Sequence, residues 1–306
     1  MKVRIGVGTA GFSFDEANDF FAFAERCEAA GVDSLWQSDR LVGGDRQLEA
    51  MAAMASLAGA TSRIKFGMNA VVVSHRDPLV LAKECATIDF LSGGRLLPVF
   101  GVGAETDPAW RATGRDPKQR GRRSDEALEL MSRLWAGEKV TFAGRHYHWE
   151  GAQIAPLPIQ QPLPLWIGGH SPAAIRRTAR LGTGWLGGLM PPDQIGPVIR
   201  AIRDELAVVG RSIDVDHFGA TVLFHFGSAD DPIVQRVAGA LRVRGIDAGA
   251  ERPIVAGPPA ELIARLGRAI AAGASKFVLI PLARGTREVF AQLDRLVAEV
   301  IPAVEN

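Results

Sequence analysis

The sequence predicts an α/β protein folded as a single (β/α)8 barrel, a TIM barrel, over residues 1–306. Three joints carry that expectation. At "CEAAGVDSLWQS" (27–38), "ARLGTGWLGG" (179–188) and "AIAAGASKFVLIP" (269–281), an Ala/Leu-rich helix end meets a glycine and then a short apolar strand. Gly31, Gly182 and Gly273 suit the left-handed position that ends many helices. A fourth joint, "IDFLSGGRLLPVFGVG" (88–103), turns through Gly93 and Gly94. Short helix-to-strand loops repeated along a chain imply parallel strands joined by crossover helices. Counting outward gives eight strand–helix pairs, the number a closed barrel requires. An open doubly wound sheet fits less well, because "GVGTAG" at the first strand lacks the third-glycine spacing of a dinucleotide fingerprint.

In order, strands are expected near 3–8, 33–38, 64–72, 95–102, 164–168, 184–188, 217–225 and 276–281. The helices that return the chain are expected near 16–30, 47–60, 78–91, 121–136, 172–181, 193–208, 259–272 and 286–299. Two segments exceed a minimal barrel. "EKVTFAGRHYHWEG" (138–151) alternates around Ala143–Gly144–Arg145 and reads as a β-hairpin insertion after the fourth helix. The stretch 226–257, rich in Gly, Arg and Pro, reads as a long loop after strand seven, acting as a lid over the mouth.

Composition narrows the function classes. Hydrophobic residues make up 47% and charged residues 23%, an ordinary globular profile with material for a large core. A net charge of +1 gives no reason to expect nucleic acid or an anionic membrane as partner. Cys27 and Cys85 fall on apolar helix positions and read as buried, reduced thiols. "KVRIGVG" opens as a strand, without the charged and apolar regions of a leader, so the cytoplasm is the expected location. No apolar run reaches the ~18 residues of a membrane span.

In a barrel of this kind the site lies where the strands end. The predicted strand ends bring together Gly8-Thr9-Ala10, Gln37-Ser38-Asp39-Arg40, Asn69-Ala70, Gly101-Val102-Gly103-Ala104-Glu105, Gly168-Gly169-His170-Ser171 and Gly187-Gly188. His225 and Arg284 close strands seven and eight. Glycine is dense at this end, which lets a flat, bulky ligand approach the backbone closely. Relief of crowding inside the barrel is the alternative, less favoured because bulky branched residues usually fill barrel cores. Ser171 as N-cap and Pro172 as first helical residue point the N–H groups of Gly169, His170 and Ser171 outward at the positive end of a helix, where an anion binds readily.

"DSLWQSDRL", "ASLAGATSRIKFGMNAVVVSHRDPLVLAKECATIDFLSGGRLLPVFGVG", "ALELMSRLWAGEKVTFAGRHYHWEGA" and "PLPLWIGGHSPAAIRRTARLGTGWL" resemble the luciferase-like oxidoreductase superfamily, in order and over nearly the whole chain. That superfamily includes FMN-dependent monooxygenases and coenzyme F420-dependent oxidoreductases built on a (β/α)8 barrel with an insertion. The resemblance implies that an isoalloxazine or deazaflavin ring sits in the mouth, with its phosphate near Gly168–Ser171. It implies that Asn69-Ala70 forms a bulge, often with a non-prolyl cis peptide, behind the ring. It places Asp39 beside the ring and the reacting centre, and it suggests a homodimer. The chain also departs from the pattern. Many deazaflavin members read Ser-Asp-His where Ser38-Asp39-Arg40 stands, so the histidine acid/base is absent. Arg40 either stabilises an anionic reduced ring or a substrate carboxylate, or pairs with Asp39. A catalytic glutamate of one branch aligns with Ala104, one residue before Glu105.

The candidate catalytic residues are therefore Asp39, Arg40 and Glu105. Gly8, Asn69, Ala70, Gly101, Gly103, Gly168, Gly169, His170, Ser171 and Gly187 are the candidate cofactor contacts. No metal site is expected: His146 and His148 share a strand face but lack further ligands. His217 and His225 lie eight apart on one strand face, one read as a core and one as a pocket histidine. "RATGRDPKQRGRR" (111–123) reads as a solvated basic loop that a polyanionic cofactor tail would meet. Trp36, Trp110 and Trp185 line either the pocket or the core. The expected activity is hydride transfer between coenzyme F420 and a small organic substrate. A reduced-FMN monooxygenase using oxygen, and a non-catalytic flavin-binding or metabolite-binding barrel, are the alternatives. No strand-end lysine presents itself for Schiff-base chemistry.

Overall fold

The computed structural model describes residues 2–9, 11–246 and 252–305; Ala10 at the first strand end and 247–251 of the expected lid lie outside them. In chain order the elements are β1 (Arg4–Thr9), α1 (Ala17–Ala29), β2 (Ser34–Gln37), α2 (Ala50–Ala60), β3 (Lys65–Val72), α3 (Pro78–Ser92) and β4 (Leu96–Gly101). There follow α4 (Ala109–Ala112), α5 (Arg120–Trp135), β5 (Val140–Ala143), β6 (His148–Ala152), β7 (Trp166–Gly168), α6 (Pro172–Leu181), β8 (Gly184–Leu186) and α7 (Pro192–Val208). The last third holds β9 (Phe218–His225), α8 (Pro232–Val243), β10 (Ile254–Ala256), α9 (Pro259–Ala271), β11 (Lys276–Pro281), α10 (Gly285–Arg295) and α11 (Ile301–Val304).

Eight parallel strands close on themselves in the order β1-β2-β3-β4-β7-β8-β9-β11 and back to β1. The helices surround them, so the expected (β/α)8 barrel is present. The antiparallel pair β5–β6 is the expected hairpin. It leaves His146 in the turn and His148 on the strand, so the two do not share a strand face.

The segment 226–257 departs from expectation. Its described part is not an irregular loop: it forms α8 and the short strand β10. The signal was present in "DPIVQRVAGALRV", where proline opens the helix and Ile233, Val234, Val237 and Leu241 recur at helical spacing. Strand β10 has a geometric cause. β8 is three residues long and pairs with only the first two residues of β9. The upper edge of the eight-residue β9 is left open, and Ile254–Ala256 pairs there with Leu223, Phe224 and His225. An uncovered edge carries unsatisfied N–H and C=O groups, and β10 satisfies them.

Alternation along β9 divides the core. Ala220, Val222 and Phe224 join the large cluster between barrel and helices. Leu223 joins Trp36, Val99, Leu186, Val278 and Ile280 in a second cluster, which continues into Ile233, Val234 and Leu241 of α8. Helix α8 thus packs its apolar side onto the column that fills the barrel. Cys27 and Cys85 are fully buried and unpaired, and burial pushes both thiols up.

Candidate cofactor cradle and active site

The strand order sets β3 and β9 on opposite sides of the ring of eight. Asn69 on β3 donates from Nδ2 to Thr221 Oγ1 on β9 at 2.8 Å, a hydrogen bond across the lumen that marks the floor of the mouth. The pairing of β3 with β4 slips between Met68 and Val71, and the Asn69–Ala70 peptide is cis. The bulge and cis bond implied at this position are both present.

Around Ala70 the backbone is left bare. A Cβ added to Gly101 or Gly168 would meet Ala70 Cβ at 3.7 and 3.6 Å, ordinary contact distances. These three residues, from β3, β4 and β7, make a flat surface at strand ends. Three other candidate glycines, Gly8, Gly103 and Gly187, face close neighbours. A Cβ on Gly8 would come within 2.9 Å of Ile280 and Val278, and one on Gly187 within 2.6 Å of Trp185. A Cβ on Gly103 would come within 3.0 Å of Val72. Lower in the barrel, Gly6 and Gly67 make room for Trp36, and Gly184 for Trp166. Glycine density thus has two causes: crowding at most positions, an open surface at Gly101 and Gly168.

Beyond Gly168 the chain turns through Gly169 (φ +101°) into α6. Ser171 caps it, its Oγ accepting from Ala174 N at 3.2 Å, and Pro172 is the first helical residue. His170 and Ser171 are exposed. Among the described residues no backbone carbonyl accepts from the N–H of Gly169 or His170. The combination of bare N–H groups and helix dipole suits a phosphate. These residues fit a flat ring on Ala70, Gly101 and Gly168 whose phosphate reaches Gly169–Ser171.

Asp39 takes a structural place. Its side chain is 1% exposed, and both oxygens bond Arg76, at 2.7 and 2.9 Å. Val72 N donates to it at 3.0 Å. Arg76 also reaches Glu49, and although burial opposes its charge, these two carboxylates raise its pKa. The partner of Asp39 is thus Arg76 rather than Arg40, which pairs with Asp45 at 3.0 Å. Glu105 is half exposed and pairs with Arg120 at 2.9 Å.

Sequence reading passed over His75, in the 3-10 turn after β3. It is 7% exposed, lies against Trp110 with ring centroids 4.0 Å apart, and has Asp107 4.0 Å from Nε2. Both ring nitrogens lack hydrogen-bond partners. Burial lowers its pKa against the opposing pull of Asp107 and Asp39. "VSHRDP" gave no periodic signal that would single it out.

The remaining candidates divide between rim and core. His225 is buried between Leu282 O (2.8 Å) and Asp231 of the α8 N-cap (2.6 Å). His217 lies at the opposite end of β9, its Nδ1 3.0 Å from Thr183 O. With Asp214 and Asp216 it forms the one group of three possible metal ligands found among the described residues. Trp36, Trp110 and Trp185 are core residues whose indole N–H groups donate to Ser34, Ala104 and Gly169. In the basic run, Arg115 bonds Ser74 O and Arg120 bonds Glu105, so two of its arginines hold loops together.

Residues 2–276 match the sequence profile of luciferase-like monooxygenases. The F420-dependent glucose-6-phosphate dehydrogenase of Amycolatopsis mediterranei is 29% identical, over 85% of this chain and 87% of that protein. Among solved structures, an F420-dependent secondary alcohol dehydrogenase in complex with an F420–acetone adduct superposes with a TM-score of 0.84 at 21% identity, covering 100% of both chains. The FMN-bound oxygenating constituent of 3,6-diketocamphane monooxygenase from Pseudomonas putida superposes with a TM-score of 0.78 at 15% identity, covering 99% of this chain and 98% of that one. At these identities the two structures establish the shared barrel.

Proposed function

The chain belongs to the luciferase-like monooxygenase family, and from that premise we propose that it is an oxidoreductase transferring hydride between coenzyme F420 and a small organic substrate. The observation that carries the reading is the open surface of Ala70, Gly101 and Gly168, continued by the Gly169–Ser171 cradle. When bound, F420 supplies a ring that accepts or donates hydride at one face. The protein's residues do the rest. Ala70, Gly101 and Gly168 would let the ring approach the backbone, and Gly169, His170 and Ser171 would hold its phosphate. Asp39 acts as a positioning residue: with Arg76 it ties the end of β2 to the turn after β3, directly behind the bulge. Arg40 and Glu105 keep solvent-facing side chains on the rim loops and are the proposed catalytic contacts with substrate. Helix α8 excludes water by extending the apolar column over the mouth.

A reduced-FMN monooxygenase is the second reading, since the same cradle fits either cofactor and an FMN enzyme shares the fold. Fluorescence titration of the purified protein with F420 and with FMN separates them. Binding of F420 alone supports hydride transfer without oxygen. A preference for reduced FMN, with substrate-dependent oxygen uptake, replaces it by monooxygenation. Binding of neither overturns the cradle, and bound cofactor that no substrate reoxidises points to a carrier.

Homodimer formation belongs to the same proposal. The adjacent helices α2 and α3 expose Ala52, Ala55 and Gly59 on one and Val80 and Leu91 on the other, an apolar face with small residues for close approach. Light scattering after gel filtration tests it, with Ala55→Glu as the disrupting variant. The buried reduced thiols accord with work in the cytoplasm.

A further inference from the structure

Helix α8 is fastened to the barrel at its first turn. Asp231 stands at the N-cap, yet its carboxylate makes no cap bond and reaches His225 at the end of β9 instead. The His225 side chain is 4% exposed and bonded at both ring nitrogens. Nε2 lies 2.6 Å from Asp231 Oδ2, and Nδ1 lies 2.8 Å from Leu282 O, just past β11. Gly227 leaves room for this arrangement: a Cβ there would stand 2.7 Å from Asp231 Oδ2 and closer still to His225 Nε2. A carbonyl and a carboxylate only accept hydrogen bonds, and a neutral imidazole carries one N–H. The two bonds therefore need one proton more than a neutral ring and a carboxylate supply. Without it, a lone pair faces an oxygen and one bond is lost. The other elements packed here also carry charge. Glu261 of α9 has its carboxylate against Gly257, whose N–H donates to His225 O. Arg295 of α10 lies over the Phe226 ring and donates to Phe226 O, and beyond Leu282 the Glu288 carboxylate accepts from Arg284 N. Among the described residues Asp231 is the one charged group bonded to the ring.

The helix held in this way has a place over the mouth. Ile233, Val234 and Leu241 of α8 belong to the apolar column that fills the barrel. With β10 and α9, α8 walls a cavity of about 720 Å3, lined from the helix by Val234 and Ala238. A smaller void shares Pro253 with that cavity and borders Thr221, the residue bonded to Asn69 at the floor. We propose that His225 and Asp231 form a proton-dependent latch on α8. With the proton held between them, the helix is fixed to the ends of β9 and β11; its loss frees the first turn of α8 and opens the cavity toward the mouth. Closure takes up a proton, so the closed form is favoured at low pH and gives way as pH rises. His225 is thus a positioning residue, acting through α8 on what occupies the mouth. That the occupant is a cofactor with its substrate rests on the proposed function; the latch itself stands on His225, Asp231 and Leu282 O.

Hydrogen exchange of the purified protein without cofactor, corrected for the intrinsic pH dependence of amide exchange, tests the latch over about pH 5.5–8, where histidine changes charge. The expected result is protection of α8 falling about tenfold as pH rises, the loss of one hydrogen bond to a charged group, while α9 keeps its protection. Asp231→Asn supplies an amide that donates to a neutral ring and accepts from a charged one. Protection of α8 in that variant should therefore not depend on pH. Protection of α8 that stays constant with pH in the unmodified protein overturns the latch. So does an equal decline in Asp231→Asn, or in α9. Fluorescence-detected release of bound F420 or FMN then reads the effect on the mouth. Release should quicken about tenfold over the same range in the unmodified protein and stay constant in Asp231→Asn. Constant release while α8 loses protection overturns regulation of the mouth. Binding of neither cofactor condemns the cradle, while exchange of the free protein still decides the latch.

Discussion

At Gly101 a single missing side chain leaves room on the surface where the ring is proposed to lie. An added Cβ meets only Ala70, at 3.7 Å, so alanine there folds without strain, while a branched side chain stands where the ring is proposed to lie. Gly101→Val is expected to weaken cofactor binding by about tenfold or more, with a melting temperature close to that of Gly101→Ala. Fluorescence titration and calorimetry check both halves. His75 makes a prediction in pH. Its imidazole is buried without partners and its pKa lies below the ordinary value, so the unfolded chain takes up the proton first. Stability is then complete above about pH 6.5 and declines as pH falls through that value toward the folded one. Melting temperatures between pH 8 and 5 should show this decline. It should shrink in His75→Phe.

At the scale of elements, α6 joins fold and site. Ser171 satisfies one of the unpaired N–H groups of its first turn and, with Pro172, aims the rest outward. Ser171→Ala should cost about 1 kcal/mol of stability and weaken the binding of any phosphate-bearing cofactor more than that of its dephosphorylated form. Helix α8 and strand β10 are the elements that reading by pattern missed. The Gly, Arg and Pro content of the segment suggests a loop, yet proline at a first helical position starts a helix rather than breaking one. A three-residue strand pairing with the unused half of a longer neighbour has too little periodicity to be seen in one dimension.

For the molecule as a whole, the end of the barrel opposite the mouth is held by charge. Lys276 at the start of β11 is buried, bonds Asp33 before β2, and lies 5.7 Å from the Trp36 ring centroid. Burial works against both charges. It lowers the Lys276 pKa, while the lysine's charge and hydrogen bond hold the Asp33 carboxyl below the usual range. Lys276→Met leaves Asp33 buried without its main partner, at a cost of about 3–5 kcal/mol. Denaturant unfolding should show that loss, and Asp33→Asn with Lys276→Met should recover much of it. Because the folded Asp33 pKa lies below its unfolded value near about 3.9, the pair's stabilisation is present above that pH and is lost as pH falls through the folded value.

The barrel and the turn from Gly168 into α6 were legible in one dimension, because both rest on local rules. Helix-to-strand glycines at Gly31 and Gly273, the Ser171–Pro172 cap and the strand ends each follow from neighbours in the chain. Which glycine is bare and which is filled was not legible. Gly101 and Gly187 are equivalent in sequence and differ only because Trp185 occupies the space beside one of them. Nor did the sequence show that Asp39 would be taken by Arg76, or that arginines from α8, α9 and the approach to β10 would line one cavity. Local propensity is set by adjacent residues, whereas packing and charge pairing are set by residues that closure of the barrel brings together. Only the tertiary structure decides those.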